Sequence, residues 1–328
     1  MRTMTTRAFG LLALITLVMG CKTVAKNPHL NEGNQYARDG LLREAADSYR
    51  AALTAQPNLT TAHRNLGMVL VKSADYTTAS QHLEKSLARY ENDFDTNFYL
   101  GEAYRGLDKY ADAIFRYQKA LKIKADEPRA LKALSWSYFK IRYYSEALTV
   151  GKKLMDVAPR DEQGTIIVAR TLLKLKRMDE ALQLVRSTKT KIPPSSVPYF
   201  LSVEGDVLAD MGRDEEALGI YQAALKDQSM LAGALLGQGR LLLKMGRTDQ
   251  AIALIERATR IRPQLTEAHY LLGVAYEPTD RQKSQQYYQT FRRQALADPE
   301  FIIQLNEVNK KIGTASSANP KSTKTRRR

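Results

Sequence analysis

Small and hydrophobic positions return along this chain at a long, regular period. Alanine stands at Ala45, Ala79, Ala113, Ala147, Ala181, Ala217 and Ala251, at intervals of 34, 34, 34, 34, 36 and 34 residues. Twelve residues before each lies another small residue: Gly33, Gly67, Gly101, Ser135, Ala169, Gly205 and Gly239. Twelve residues after each is a slot that holds Pro57, Pro159, Pro193 and Pro263 in four of the seven copies. Large residues fill neighbouring slots, among them Tyr36, Tyr49, Leu66, Leu100, Tyr104, Tyr117, Leu134 and Tyr138. A period of this length signals stacked supersecondary units. Each unit reads as two antiparallel helices, A and B. Small residues let the two approach where they cross, and large ones fill the space between hairpins. Turn segments such as Asp75-Tyr76, Leu107-Asp108-Lys109-Tyr110, Met211-Gly212-Arg213 and Met245-Gly246-Arg247 separate A from B. Proline near the end of helix B cannot continue that helix and opens the next unit.

The period places units at about 26–59, 60–93, 94–127, 128–161, 162–195, 198–231 and 232–265, with a partial eighth at 266–297. The two extra residues fall in Ser195-Ser196-Val197-Pro198, where a kink or loosened joint is expected. The eighth unit keeps His269, Leu272, Gly273 and Tyr276, but its turn Glu277-Pro278-Thr279-Asp280 is one residue short and Ser284 takes the alanine slot. An amphipathic segment at 298–312 (Phe301, Ile302, Leu305, Val308, Ile312) is expected to cap the open end. Residues 313–328 are small, polar and basic, and are expected to be disordered.

These positions resemble the tetratricopeptide repeat. Gly33, Tyr36, Ala45, Tyr49, Ala52 and Pro57 stand at its small–aromatic–alanine–aromatic–alanine–proline positions, and Leu100, Gly101, Tyr104, Ala113, Tyr117 and Ala120 do so in the third copy. The resemblance covers residues 26–297. It implies an all-α fold: a right-handed superhelix, or α-solenoid, of seven to eight helical hairpins with a C-terminal capping helix.

The chain opens MRTMTTRAFGLLALITLVMGC, a short cationic start followed by an apolar run from Phe9 to Met19 and then Gly20-Cys21. The run is too short to span a bilayer comfortably and has the layout of a secretory signal peptide, residues 1–20. Val18-Met19-Gly20-Cys21 resembles the lipobox of bacterial lipoproteins. That resemblance implies cleavage before Cys21, acylation of its thiol, and a linker at 21–25. Several acyl chains on one residue would anchor stably, each buried CH₂ contributing roughly 0.8 kcal/mol. An ordinary signal peptide or an uncleaved anchor is the competing reading. Lys22 after the cysteine favours, by the same resemblance, the outer membrane with the repeats facing the periplasm rather than inner-membrane retention.

With 44% hydrophobic and 26% charged residues the chain as a whole is not of the disordered class. Its only cysteine is Cys21, so neither an intrachain disulfide nor a cysteine metal site can form. The formal charge is +15; setting aside Arg2 and Arg7 of the leader and the five cations of the tail leaves about +8 on residues 21–312. Such an excess favours acidic partners or anionic surfaces, and the leader argues against nucleic acid. The tail would then touch lipid phosphates or another anionic envelope polymer, or be only a solvated end. His29, His63 and His269 all fall at the fourth position of their units, which makes them packing residues on separate hairpins; no metal is expected. There is no nucleophile elbow, no phosphate-cradling glycine loop and no HExxH, so neither a cofactor nor catalysis is expected.

What remains is the inner, concave face. In tetratricopeptide arrays the ligand lies along helix A, at its second, fifth, ninth, twelfth and thirteenth positions. Carried onto this chain, the resemblance implies Arg64, Met68 and Lys72 in the second unit and Asp95, Phe98, Glu102 and Arg105 in the third. The fourth contributes Arg129, Lys132, Trp136, Phe139 and Lys140, and the fifth Gln163, Ile166, Arg170 and Lys174. Long cations beside aromatic faces suit an extended acidic or aromatic peptide, since Trp and Arg are over-represented among binding hot spots. Solvated helix charges with Trp136 as half-buried packing would give the same pattern. The carboxylate clamp of chaperone-binding members is not matched: Asn34 and Asn65 agree, but Leu30, Asp95 and Tyr99 stand where cations are required. A lipid-anchored array of this kind resembles type IV pilus biogenesis lipoproteins and secretin pilotins, and gliding-motility and other secretion complexes use similar parts. The implied role is a non-enzymatic scaffold for a cell-envelope complex. An adaptor that recruits peptidoglycan hydrolases or synthases is the alternative.

Overall fold

A computed structural model describes residues 27–316, apart from Tyr90 and Ala297. Cys21, the leader and residues 317–328 lie outside the described residues. Among the described residues every regular element is helical, and no helix is long and apolar enough to cross a membrane. The described residues divide into two compact units, one before residue 90 and one from residue 91 onward. The first holds α1 (Pro28–Arg38), α2 (Leu42–Ala55), α3 (Thr60–Lys72) and α4 (Tyr76–Leu87). The second holds α5 (Phe94–Gly106), α6 (Tyr110–Ile123), α7 (Pro128–Lys140), α8 (Tyr144–Val157), α9 (Glu162–Lys174) and α10 (Met178–Lys189). It continues through α11 (Val197–Asp210), α12 (Asp214–Asp227), α13 (Ala232–Lys244), α14 (Thr248–Ile261), α15 (Thr266–Tyr276), α16 (Arg281–Ala295) and α17 (Ile302–Ser316). Successive odd and even helices pair as antiparallel hairpins, and the hairpins stack within each unit in the manner of an α-solenoid.

Local chemistry sets the helix ends. Side chains of Asn27, Asp75, Asp93, Asp161 and Asp280 accept a backbone N–H in the first turn of α1, α4, α5, α9 and α16. Pro28 and Pro128 begin α1 and α7, where a missing N–H costs nothing. Each of the first seven A helices ends on one left-handed residue, in order Gly40, Ala74, Asp108, Arg142, Lys176, Gly212 and Gly246. The following residue donates back across the end of the helix, as Asp75 N–H does to Leu70 O at 2.9 Å and Arg247 N–H to Leu242 O at 2.8 Å. The eighth hairpin, with its shorter turn, closes instead through Asp280 N–H on Tyr276 O at 2.8 Å.

Hairpin closure is a knob in a hole. A Cβ on Gly33, Gly101 or Gly205 would lie within 2.7 Å of the ring of Tyr49, Tyr117 or Tyr221, and one on Gly67 or Gly239 would meet Leu83 or Ile255 just as closely. The fourth hairpin reverses the sizes: Ser135 fills the A-helix slot, its hydroxyl donating to Ala147 O at 2.8 Å, and the facing B-helix residue is Gly151. The fifth places Ala169 with Val185, both fully buried. Between α10 and α11 the extra residues form a 3₁₀ turn, Pro194–Ser196. There Glu204, only 2% exposed, receives Arg186 at 2.7 Å and Lys189 at 2.6 Å, tying the two helices. At the C-terminal end α17 covers Tyr288, Phe291 and Ala295 with Val308. It runs on to Ser316, past the expected limit of 312.

Candidate peptide-binding face

The knob chemistry decides what the A helices can show. A buried tyrosine hydroxyl needs an acceptor. Three of the four knob tyrosines find it on the residue after the small one, the ninth of helix A: Tyr49 donates to Asn34 at 2.9 Å, Tyr117 to Glu102 at 2.5 Å and Tyr221 to Asp206 at 2.7 Å. The fourth, Tyr288 against Gly273, donates to Glu277 at 3.2 Å. Burial, and then the facing carboxylate, push the Tyr117 and Tyr221 hydroxyls well above the ordinary phenol range. Where the knob carries no hydroxyl the ninth position holds Met68, Trp136, Arg170 or Arg240.

Trp136 makes the largest use of that freedom. With Phe98, Ala133, Ile166 and Ile167 it lines a cleft of about 440 Å³ over α5, α7 and α9, bounded also by Glu102, Arg105, Arg129, Lys132 and Gln163. Every rim cation has a carboxylate. Arg105 is held by Glu102, and Lys132 donates to Asp161 at 2.8 Å. Arg129 reaches Asp95 and Glu127, each at 3.0 Å, while its guanidinium stacks 4.8 Å from the centre of the Phe98 ring. The cleft is therefore an apolar floor inside a ring of satisfied ion pairs.

Trp136 stacks on Phe139, ring centres 5.5 Å apart, and Phe139 lines a second cleft of about 360 Å³. Arg170, Lys174, Lys176 and Arg240 line it together with Asp206, Asp210 and Glu267, and with Leu173, Leu236, Gly233 and Gly237. Burial raises the Asp206 carboxyl above its usual value, against the pull of Arg240, Arg170 and the Tyr221 hydroxyl. Lys140 stands apart, 5.9 Å from the centre of the Tyr110 ring in a third cleft.

The structure thus brings Phe98, Arg105, Arg129, Lys132 and Trp136 together, joins Phe139, Arg170 and Lys174 in a second cleft, and places Lys140 in a third. Arg64, Met68 and Lys72 belong to the first compact unit, on α3, where Arg64 donates to Asn65 at 3.3 Å. Sequence reasoning stopped at the fifth unit and so missed Asp206, Gly233, Arg240 and Glu267. The same counting would have found them: they are the second and ninth positions of the next three A helices. Two of the fourth-position histidines make one and the same bond. His63 Nε2 lies 2.9 Å from Pro57 O, and His269 Nε2 lies 2.8 Å from Pro263 O. Among the described residues no three His, Cys, Asp or Glu side chains cluster as metal ligands would.

Comparison with known families places this architecture. The tetratricopeptide repeat family matches residues 30–93, 64–129, 202–265 and 236–284, more than half of the chain, which therefore belongs to that family. Residues 106–188 also match the family described as anaphase-promoting complex, cyclosome, subunit 3. Among solved structures, a tetratricopeptide repeat protein from Parabacteroides merdae superposes with a TM-score of 0.66 at 16% identity, over 75% of this chain and 97% of its own. Yeast Tom70 does so with a TM-score of 0.60 at 16% identity, over 85% of this chain and 62% of its own. A mouse protein, N-alpha-acetyltransferase 16, NatA auxiliary subunit, is 26% identical over 46% of this chain, which spans only 18% of that relative's length. These likenesses concern the fold; members of the repeat family bind protein partners and are typically not catalysts.

Proposed function

We propose that this chain is a non-enzymatic, lipid-anchored scaffold or assembly factor that holds a segment of a cell-envelope complex on its A-helix face. The observation that carries the binding reading is the Trp136 cleft: a half-buried tryptophan on an apolar floor, within a rim whose charges are already neutralised. Such a floor takes an aliphatic or aromatic anchor residue from an extended segment, and the paired rim contributes orientation more than affinity. The envelope reading comes from the leader and Cys21, which by resemblance to bacterial lipoproteins would hold the array on the periplasmic side of the outer membrane. Pilus, secretin, motility and secretion machines are the settings this predicts.

In-cell crosslinking and pull-down of the anchored protein, run beside Trp136→Ala, tests the reading. Trp136→Ala is the cleaner probe, because reversing Arg129 would also break its pairs with Asp95 and Glu127. One envelope-complex subunit captured by the wild type and lost by the variant supports the proposal. Identical capture by both removes the cleft from consideration, and capture of peptidoglycan enzymes by the wild type alone moves the assignment to the wall adaptor. Separately, Cys21→Ser should release the protein from the membrane fraction; continued membrane association would refute the anchor.

A further inference from the structure

The stretch joining α16 to α17 reaches back to the A-helix face. Glu300 forms an ion pair with Lys174, 126 residues earlier in the chain. Gln294 and Asp298 line the third cleft, about 610 Å³, opposite Tyr110 and Lys140. Lys174 is a thirteenth-position residue and one of the cations of the second cleft, beside Arg170 and Phe139. A carboxylate of the chain itself thus sits on a cation of the proposed partner-binding face. The bond is exchangeable: the two side chains remain 41% and 45% exposed, and pairs so exposed contribute little. Phe139 and Trp136, stacked together, form a continuous wall from this cation to the apolar cleft.

We propose that Glu300 is an internal competitor, a latch that an acidic segment of the partner displaces by placing its own carboxylate on Lys174. The inference rests on the A-helix face being the peptide-binding face. It commits to one kind of ligand: an extended segment with an aromatic or aliphatic residue for the Trp136 cleft and an acidic residue that reaches Lys174 past Phe139. A basic segment would meet Lys174 and Arg170 with Glu300 already dislodged, and gains nothing by displacing it.

The test uses the full chain and two readouts. A zero-length carbodiimide coupling, read by mass spectrometry, reports whether Lys174 and Glu300 touch in solution. Fluorescence anisotropy with a labelled dodecapeptide of Glu, Phe and Gly, against its Lys-for-Glu counterpart, reports binding in wild type, Glu300→Gln and Lys174→Met. The latch predicts the crosslink, its suppression by saturating acidic peptide, and an affinity gain of about two- to fivefold in Glu300→Gln for the acidic peptide alone. Lys174→Met should lose affinity for that peptide and gain nothing further from Glu300→Gln. If the wild type binds but the crosslink is absent, or Glu300→Gln binds the acidic peptide no better, the latch is wrong and the binding face survives. If no form binds the acidic peptide, the binding-face reading fails and the latch falls with it.

Discussion

A single methyl group separates two kinds of glycine in this chain. At Gly101 an added Cβ would lie 2.6 Å from the Tyr117 ring, whereas at Gly219, inside α12, it would meet nothing within 4 Å. Gly101→Ala should therefore destabilise the protein by about 1–3 kcal/mol through overpacking. Gly219→Ala should stabilise it by about 0.4–1 kcal/mol by removing backbone freedom from the unfolded chain. Urea unfolding of the two variants beside the wild type measures both, and equal effects would contradict the knob-in-hole account. The left-handed turn residues make a third case. Ala74 holds φ of 62° where Gly40, Gly212 and Gly246 hold the same slot without steric cost. Ala74→Gly is expected to gain about 1 kcal/mol, read from the same unfolding curves.

Between the elements of the second hairpin lies a titratable tie. His63 Nδ1 and His82 Nδ1 are 2.8 Å apart across α3 and α4. With His63 Nε2–H donating to Pro57 O, His63 Nδ1 accepts from His82 Nδ1–H, which requires the His63 ring to be neutral. Burial, then the neighbouring His63, Lys85 and Arg50, lower the His82 pKa to about 4, against the pull of Asp75. The unfolded chain takes up this proton near pH 6.5 and the folded one only near 4, so stability is full above pH 6.5 and declines as pH falls between these values. Half-exposure of the ring limits the loss to roughly 1–2 kcal/mol. Denaturation midpoints at pH 7.5 and 5 should differ less in His82→Gln than in the wild type; an unchanged difference would remove the histidine pair as the cause. The hairpins themselves were legible from Ala45 to Ala251 because each repeats one local packing demand. The state of the binding face was not. Arg129 finds Asp95, Lys132 finds Asp161 and Lys174 finds Glu300 at separations of 34, 29 and 126 residues. A list of cations at ligand-facing positions carries no information about such partners. Trp136 was legible as a candidate, yet its freedom to face outward depends on Gly151 in the facing helix lacking a hydroxyl to satisfy.

Within each compact unit stability passes from neighbour to neighbour, as in other stacked repeats, and the last hairpin depends on its cover. A chain ending at Ala295 would uncover Tyr288 and Phe291, both nearly inaccessible beneath α17. It should melt about 5 °C or more below the full chain and scatter light on heating; unchanged melting would show that α17 is dispensable to the stack. The reversed pair Ser135 and Gly151 has a different consequence. Near-identical hairpins can mispair during folding, the B helix of one copy closing on the A helix of the next, a hazard of multidomain and repeat chains. Were α6 to close on α7 in this way, Tyr117 would drive into the Ser135 side chain instead of the bare backbone of Gly101. Were α8 to close on α9, Gly151 would leave a void against Ala169. The one copy with its sizes inverted thus acts as a registration mark, letting an array of look-alike parts count itself correctly from its middle.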